Sequence, residues 1–143
     1  MSASPDDTDR PGDPAKQRRT FVLIPGAGGA AWYWHLVVPL LREAGHEAIA
    51  IDLPADDPAA GLPEYADLVI RAIGNRHNVV LVAWPPVPIR AVAGSDDRFF
   101  PVGFQQALAR DRLGINADVL PGGHLISLSQ PARLAGFLLG VAA

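Results

Sequence analysis

The chain has 143 residues, enough for one domain with a single hydrophobic core. A hydrophobic content of 49% with 19% charged residues is typical of a globular protein and excludes a largely disordered one. The net charge of −3 disfavours nucleic acid as a partner, and the absence of cysteine excludes disulfides and thiolate metal sites. No apolar run approaches the roughly 20 residues that cross a bilayer, and no signal-peptide pattern is found, so we expect a cytoplasmic protein without a membrane partner.

Residues 1–20 are polar and rich in proline, with acidic residues before basic ones. We predict a disordered tail over 1–20 and one domain over 21–143. The domain opens with the run FVLI at residues 21–24, which Pro25 ends. A short, uninterrupted apolar run closed by proline and glycine is typical of a buried parallel strand.

The turn after this strand has the sequence Gly26-Ala27-Gly28-Gly29. Glycines allow a sharp bend and leave backbone N–H groups uncovered by side chains. A helix predicted over residues 31–44 places these groups at its N-terminus, where negative charge is favoured. We therefore predict an anion-binding turn built on Gly26 and Gly28.

Apolar periodicity and turn signals predict that strands and helices alternate along the rest of the chain. This alternation indicates the α/β class, with a mainly parallel sheet of about five strands flanked by helices. Pro39 is expected to kink or shorten the first helix, and Ser129 is expected to cap the last one. The predicted helices cover 31–44, 62–73, 102–112 and 129–140, and the later strands cover 46–52, 78–83, 87–93 and 116–120.

Only Trp84, Pro85 and Pro86 separate the strands predicted over 78–83 and 87–93. Parallel neighbours require a crossover of about a dozen residues, whereas this link spans at most about 14 Å. A six-residue strand is about 20 Å long, so the link cannot return to the start of an adjacent parallel strand. The two strands therefore run antiparallel, or the second lies elsewhere, or a segment of the fold is absent between them.

Three segments, FVLIPGAGGAAWYW, AVAGSDDRFFP and LPGGHLISLSQP, occur in this order at the ends of predicted strands. Together they resemble α/β-hydrolases of the plant-esterase and hydroxynitrile-lyase type, as a partial form of that fold. The resemblance implies a Ser–His–Asp triad, with Asp97 as the acid and His124 as the base. It also implies that the Ala27 N–H supplies half of the oxyanion hole. The implied activity is hydrolysis of a small-molecule carboxylic ester, without a cofactor.

The nucleophile of that triad is missing from the sequence. The family places its serine in a Gly-x-Ser-x-Gly elbow directly after the strand that residues 78–83 resemble, and here Trp84-Pro85-Pro86 follows. None of the five serines lies in such a context. Since the elbow also supplies the second oxyanion donor, we expect little or no serine-esterase activity. An Asp97–His124 pair can still act as a general base.

Two other functions fit parts of the sequence. A dinucleotide-binding fingerprint fits the pattern Gly26-x-Gly28-x-x-Ala31, which is followed by a helix and by a strand that ends in Asp52. A Rossmann-like protein is therefore the main alternative. A non-catalytic remnant or binding protein is the third possibility. The histidines other than His124 show no metal-ligand spacing, so no metal site is predicted. Because a missing internal segment exposes a sheet edge, we expect a homodimer through that edge.

Overall fold

The computed structural model describes residues 17–26, 29–83 and 90–141. Strands and helices alternate through these ranges, which confirms the predicted α/β class. The elements are β1 (Thr20–Leu23), a 3-10 helix (Ala31–Trp34), α1 (Val37–Glu43), β2 (Glu47–Ala50), α2 (Leu62–Ile73), β3 (Val79–Val82), β4 (Val92–Gly94), α3 (Val102–Leu113), β5 (Asp118–Leu120), α4 (Ile126–Ser129) and α5 (Pro131–Val141).

β1 is the central strand of a three-stranded parallel sheet with the order β2-β1-β3. All four of its residues are buried, and Phe21, Val22 and Leu23 belong to the predicted apolar run, whose last residue, Ile24, follows the strand. Thr20 pairs with Glu47 on one side and with Val79 on the other. Thr20 therefore belongs to the sheet, one residue before the predicted start of the domain, and the division into tail and domain stays a prediction. The rest of that prediction lies mostly outside the described residues.

β4 and β5 form a second, two-stranded parallel sheet in which Val92 pairs with Asp118 and Gly94 with Leu120. The expectation of a single sheet of about five strands is therefore wrong for the described residues, whose strands divide into two sheets. Residues 83–91 separate β3 from β4, fewer than the dozen or so that a helical crossover to a parallel neighbour requires. The strand predicted over 87–93 begins only at Val92, and residues 84–89 lie outside the described part.

The helix predicted over residues 31–44 is broken into a 3-10 turn followed by the seven-residue helix α1. Pro39 supplies the physical reason. A continuous α-helix would require a Pro39 N–H to reach the His35 carbonyl, and the proline ring would clash with that carbonyl. Since α1 begins at Val37, Pro39 falls in its first turn, where the missing N–H has no intrahelical partner to lose. Gly45, with φ of 90°, follows the helix end as predicted.

Helices cover both faces of the central sheet. Phe21 and Leu23 point to one face and Val22 to the other, because side chains alternate along a strand. On the Val22 side, α2 contributes Tyr65 and Val69. On the opposite side, α1 and α5 pack against both sheets in one core. That core combines Phe21, Leu23, Trp34, Val37, Leu41, Ala48, Leu134, Ala135 and Leu138 with the partly buried Val80, Val82 and Leu120.

The longest helices in the described ranges have 12 residues, and none of the helices there is long and apolar enough to cross a bilayer.

Candidate active site

Asp97 lies in the loop that follows β4, yet its side chain is only 6% exposed. Its Oδ1 accepts the backbone N–H groups of Phe99 at 2.8 Å and Phe100 at 3.0 Å. The hydrogen bond from Phe100, with those from His124 and Phe99, holds the pKa of Asp97 below its ordinary value of 3.8, although burial acts in the opposite direction. Asp97 is therefore an ionised carboxylate at neutral pH, and it can only accept hydrogen bonds.

His124 lies in the turn after β5, and its Nδ1 is 3.1 Å from Asp97 Oδ2. Because an ionised carboxylate only accepts, Nδ1 carries the hydrogen, and in the neutral imidazole the lone pair is then on Nε2. The imidazole is 45% exposed, so solvent reaches the ring. The structure thus brings together the two residues that the sequence pattern assigned as acid and base. Their catalytic roles stay a prediction.

The backbone holds the two loops together at the ends of β4 and β5. The Ser95 N–H donates to the Leu120 carbonyl, and the Asp96 N–H donates to the Gly122 carbonyl, each at 2.9 Å. At Gly94 the chains approach so closely that a Cβ atom would lie 2.6 Å from the Gly122 carbonyl oxygen. Glycine at position 94 therefore permits the approach that puts Asp97 beside His124.

Two phenylalanines flank the imidazole, and the sequence analysis did not identify them. The ring centroids of Phe99 and Phe100 lie 5.2 Å and 5.5 Å from that of His124. Both rings are exposed, which makes the surface around the histidine apolar. Gln105 was also missed, although its side-chain amide contacts Asp97. The only sequence signal for the phenylalanines was their place in the segment AVAGSDDRFFP, two and three residues after Asp97.

Two of the three serines in the described ranges bond to the backbone. Ser127 Oγ is buried and donates to the Tyr33 carbonyl at 2.9 Å. Ser129 Oγ donates to the Leu125 carbonyl, and Ser129 is the last residue of α4. The prediction that Ser129 caps the last helix is therefore wrong, since α5 begins at Pro131. Within the described ranges no serine hydroxyl is hydrogen-bonded to His124, whose side-chain bond is to Asp97.

The predicted anion-binding turn is described only at its ends, because Ala27 and Gly28 lie outside the described residues. Gly26 is exposed, and its carbonyl accepts the Gly29 N–H at 2.8 Å. The N–H of Ala31 donates to Asp52 Oδ1 at 2.7 Å, so a carboxylate of the chain itself occupies this amide. The oxyanion role of Ala27 and the anion-binding role of Gly26 and Gly28 stay predictions.

Within the described ranges, no group of three or more His, Asp or Glu side chains has the geometry to hold a metal ion.

Sequence comparison relates the N-terminal half of the chain to a known family and to plant proteins. The α/β-hydrolase family model matches residues 21–84. Norfluorocurarine synthase 1 of Strychnos nux-vomica is 51% identical over 41 residues, which are 29% of this chain and 15% of that protein. Polyneuridine aldehyde esterase of Rauvolfia serpentina is 49% identical over 41 residues, 29% of this chain and 16% of that protein. The chain thus matches only a small part of the length of these relatives.

Fold comparison covers most of the chain and shows a shared fold. A crystal structure of polyneuridine aldehyde esterase superposes with a TM-score of 0.68 and 15% identity, covering 89% of this chain and 100% of that chain. The H244A mutant of that esterase gives 0.69 and 14%. These matches favour the hydrolase resemblance over the dinucleotide-binding alternative, whose acidic residue Asp52 is already bonded to Ala31. The family model matches residues 21–84, and the fold comparison shows that the chain shares the fold of this esterase, so the chain is similar to α/β-hydrolases in part of its sequence and in its fold.

Proposed function

We propose that this protein is esterase-like by descent, with little or no serine-esterase activity, and that Asp97 and His124 provide a weak general-base hydrolysis of carboxylic esters. The observation that carries the proposal is the contact between His124 Nδ1 and Asp97 Oδ2, which leaves Nε2 as a proton acceptor. The sequence contains no Gly-x-Ser-x-Gly elbow to supply a serine to that nitrogen.

In the proposed reaction, water takes the place of the missing serine. Nε2 of His124 accepts a proton from a water molecule while the water oxygen attacks the ester carbonyl carbon. The tetrahedral anion then expels the alkoxide, which takes the proton back from the imidazolium and leaves as the alcohol. Asp97 stabilises the imidazolium, because its carboxylate is ionised and bonded to Nδ1. General-base catalysis contributes about 10²–10⁴-fold, far less than a complete triad with its oxyanion hole.

The proposed substrate is a small ester with an apolar group. Phe99 and Phe100 flank the imidazole with exposed rings, and such rings offer apolar area next to the reacting nitrogen. The names of two relatives, polyneuridine aldehyde esterase and methyl jasmonate esterase 1 of Vitis vinifera, support a carboxylic ester as the substrate class.

Hydrolysis of a p-nitrophenyl ester series tests this proposal. We expect slow release of p-nitrophenol above the buffer rate, without an initial burst, because no acyl-enzyme forms. His124→Ala should return the rate to that of buffer. His35→Ala is the matched control, because this exposed histidine stacks on Trp32 and its Nδ1 contacts the Trp32 carbonyl, and the rate of this variant should be unchanged.

Fast turnover with a burst would contradict the proposal, because it would require a nucleophile that the sequence does not show. No hydrolysis above buffer with wild-type protein would instead support the third possibility, a non-catalytic remnant or binding protein.

We further propose that two copies of the chain pair through β3. Its sequence Val79–Val82 is entirely apolar, as expected of a central strand, yet β3 is at the end of the three-stranded sheet. The carbonyls of Asn78 and Val82 accept N–H groups of Thr20 and Ile24. Since backbone groups alternate in direction along a strand, those of Val79 and Leu81 face away from β1. This edge carries no charge or proline that would discourage pairing.

Leu81→Pro is expected to abolish the dimer and to preserve the fold. The substitution removes an N–H on the outer edge of β3, where proline is tolerated, and leaves the bonds to β1 intact. In sedimentation velocity, wild-type protein should be a dimer and the variant a monomer with an unchanged circular dichroism spectrum. Leu81→Ala is the control and should remain dimeric. A monomeric wild-type protein, or a dimeric proline variant, would exclude pairing through this edge.

A further inference from the structure

We propose that Gln105 is a positioning residue of the Asp97–His124 pair, an inference that extends the proposed function. Its side-chain Nε2 lies 3.3 Å from Asp97 Oδ2, contacts the Phe100 carbonyl and is 3.5 Å from the Gly94 carbonyl. All three neighbours are acceptors, so the amide must present its NH₂ group to them and not its oxygen. Gln105 is thus a donor that joins α3 to the loop over residues 95–101, which contains Asp97 and is called the acid loop below.

The four donors around Asp97 explain what this amide does. Oδ1 accepts the two backbone N–H groups of Phe99 and Phe100, and Oδ2 accepts both Gln105 Nε2 and His124 Nδ1. The first three donors belong to the acid loop and to α3, and together they set the plane of the carboxylate independently of the histidine. His124 therefore meets an acceptor whose direction is already determined. Such outer partners are known to orient the groups that do chemistry.

Gln105 also holds the acid loop itself. Its NH₂ group bridges the Asp97 side chain to the Phe100 backbone, and so closes the segment 97–100 onto the second turn of α3. Phe100 is one of the two rings beside the imidazole. Loss of this donor would remove one hydrogen bond from Asp97 Oδ2 and one from the Phe100 carbonyl. The loop that carries both residues would then no longer be tied to α3 by this side chain. Unpaired polar groups of this kind are costly when they are shielded from water.

Gln105→Leu tests the inference by two independent measurements. The population of the Nδ1–H tautomer of His124, followed by ¹⁵N NMR, is expected to fall, since the carboxylate is no longer held in place. The kcat for p-nitrophenyl ester hydrolysis is expected to fall about 10–100-fold with KM unchanged, because Gln105 does not touch the ester. Gln105→Glu conserves the shape but replaces the donor by an acceptor, and it should be at least as damaging.

Gln106→Leu is the matched control, because Gln106 is the next residue of α3 and takes no part in the contacts to Asp97 and Phe100. It should keep the wild-type tautomer population and rate. Wild-type behaviour in both Gln105 variants, or equal losses in the Gln106 variant, would overturn the inference. The NMR measurement does not depend on catalysis. If the wild-type protein hydrolyses no ester, the proposed function is refuted, and the tautomer population of His124 still tests whether Gln105 positions the pair.

Discussion

Gly94→Ala is expected to destabilise the protein and to separate Asp97 from His124. A Cβ atom at position 94 would lie 2.6 Å from the Gly122 carbonyl oxygen and 3.0 Å from that of Gly123. Both neighbours are backbone atoms, so the contact is relieved only if β4 or the turn after β5 moves. Overpacking of this kind costs about 1–3 kcal/mol in the free energy of unfolding. Urea denaturation should show the loss, and the ¹⁵N signature of the His124–Asp97 bond should disappear in the variant.

Gly136→Ala is the control for this substitution. Gly136 lies inside α5, is exposed, and has no atom within 4 Å of a Cβ placed there. Alanine is the better helix former by about 1 kcal/mol, so this variant should be slightly more stable than wild type. If Gly94→Ala were as stable as wild type, the close approach of the two loops would not be a requirement of the fold.

Asp97→Asn is expected to abolish the general-base activity while leaving the loop in place. The asparagine oxygen can accept the Phe99 and Phe100 N–H groups as Oδ1 does now. Its NH₂ group would then face His124 Nδ1 and Gln105 Nε2, which are both donors to Asp97 Oδ2 now. The imidazole avoids this contact by moving its hydrogen to Nε2, which can no longer take a proton from water. We expect the ester hydrolysis rate to fall by about 10²–10⁴-fold, to near the buffer rate.

Asp96→Asn provides the control within the same loop. Asp96 is exposed, and its backbone N–H, not its carboxylate, contributes to the loop contacts by donating to Gly122. This variant should keep the wild-type rate and the wild-type tautomer of His124. Loss of activity in the Asp96 variant but not in the Asp97 variant would show that the acid had been assigned to the wrong neighbour.

Local sequence predicted the long helices well and the short elements less well. The helix over 62–73 agrees with the structure at both ends, because an apolar face and a following glycine specify it without help from distant residues. The helix from Val102 extends one residue beyond its predicted end. β1 has its predicted length but begins one residue earlier, whereas β2, β3 and β5 are shorter than predicted, since strand ends depend on where a partner stops. The first helix does not run through 31–44, and the prediction that Pro39 would kink or shorten it is confirmed by the break before α1.

By itself, the sequence determined the α/β class, the order along the chain of the predicted acid and base, and the absence of a Gly-x-Ser-x-Gly elbow, because these depend on residue identity and local periodicity. The tertiary structure decided that the described strands divide into two sheets and that Asp97, not its neighbour Asp96, is buried against His124. It also decided that Gln105, Phe99 and Phe100 surround this pair. Asp97 and His124 are 27 residues apart and meet through the parallel register of β4 and β5. Register arises from the pairing of two strands that are distant in sequence, so it depends on both partners and on the core face that each presents.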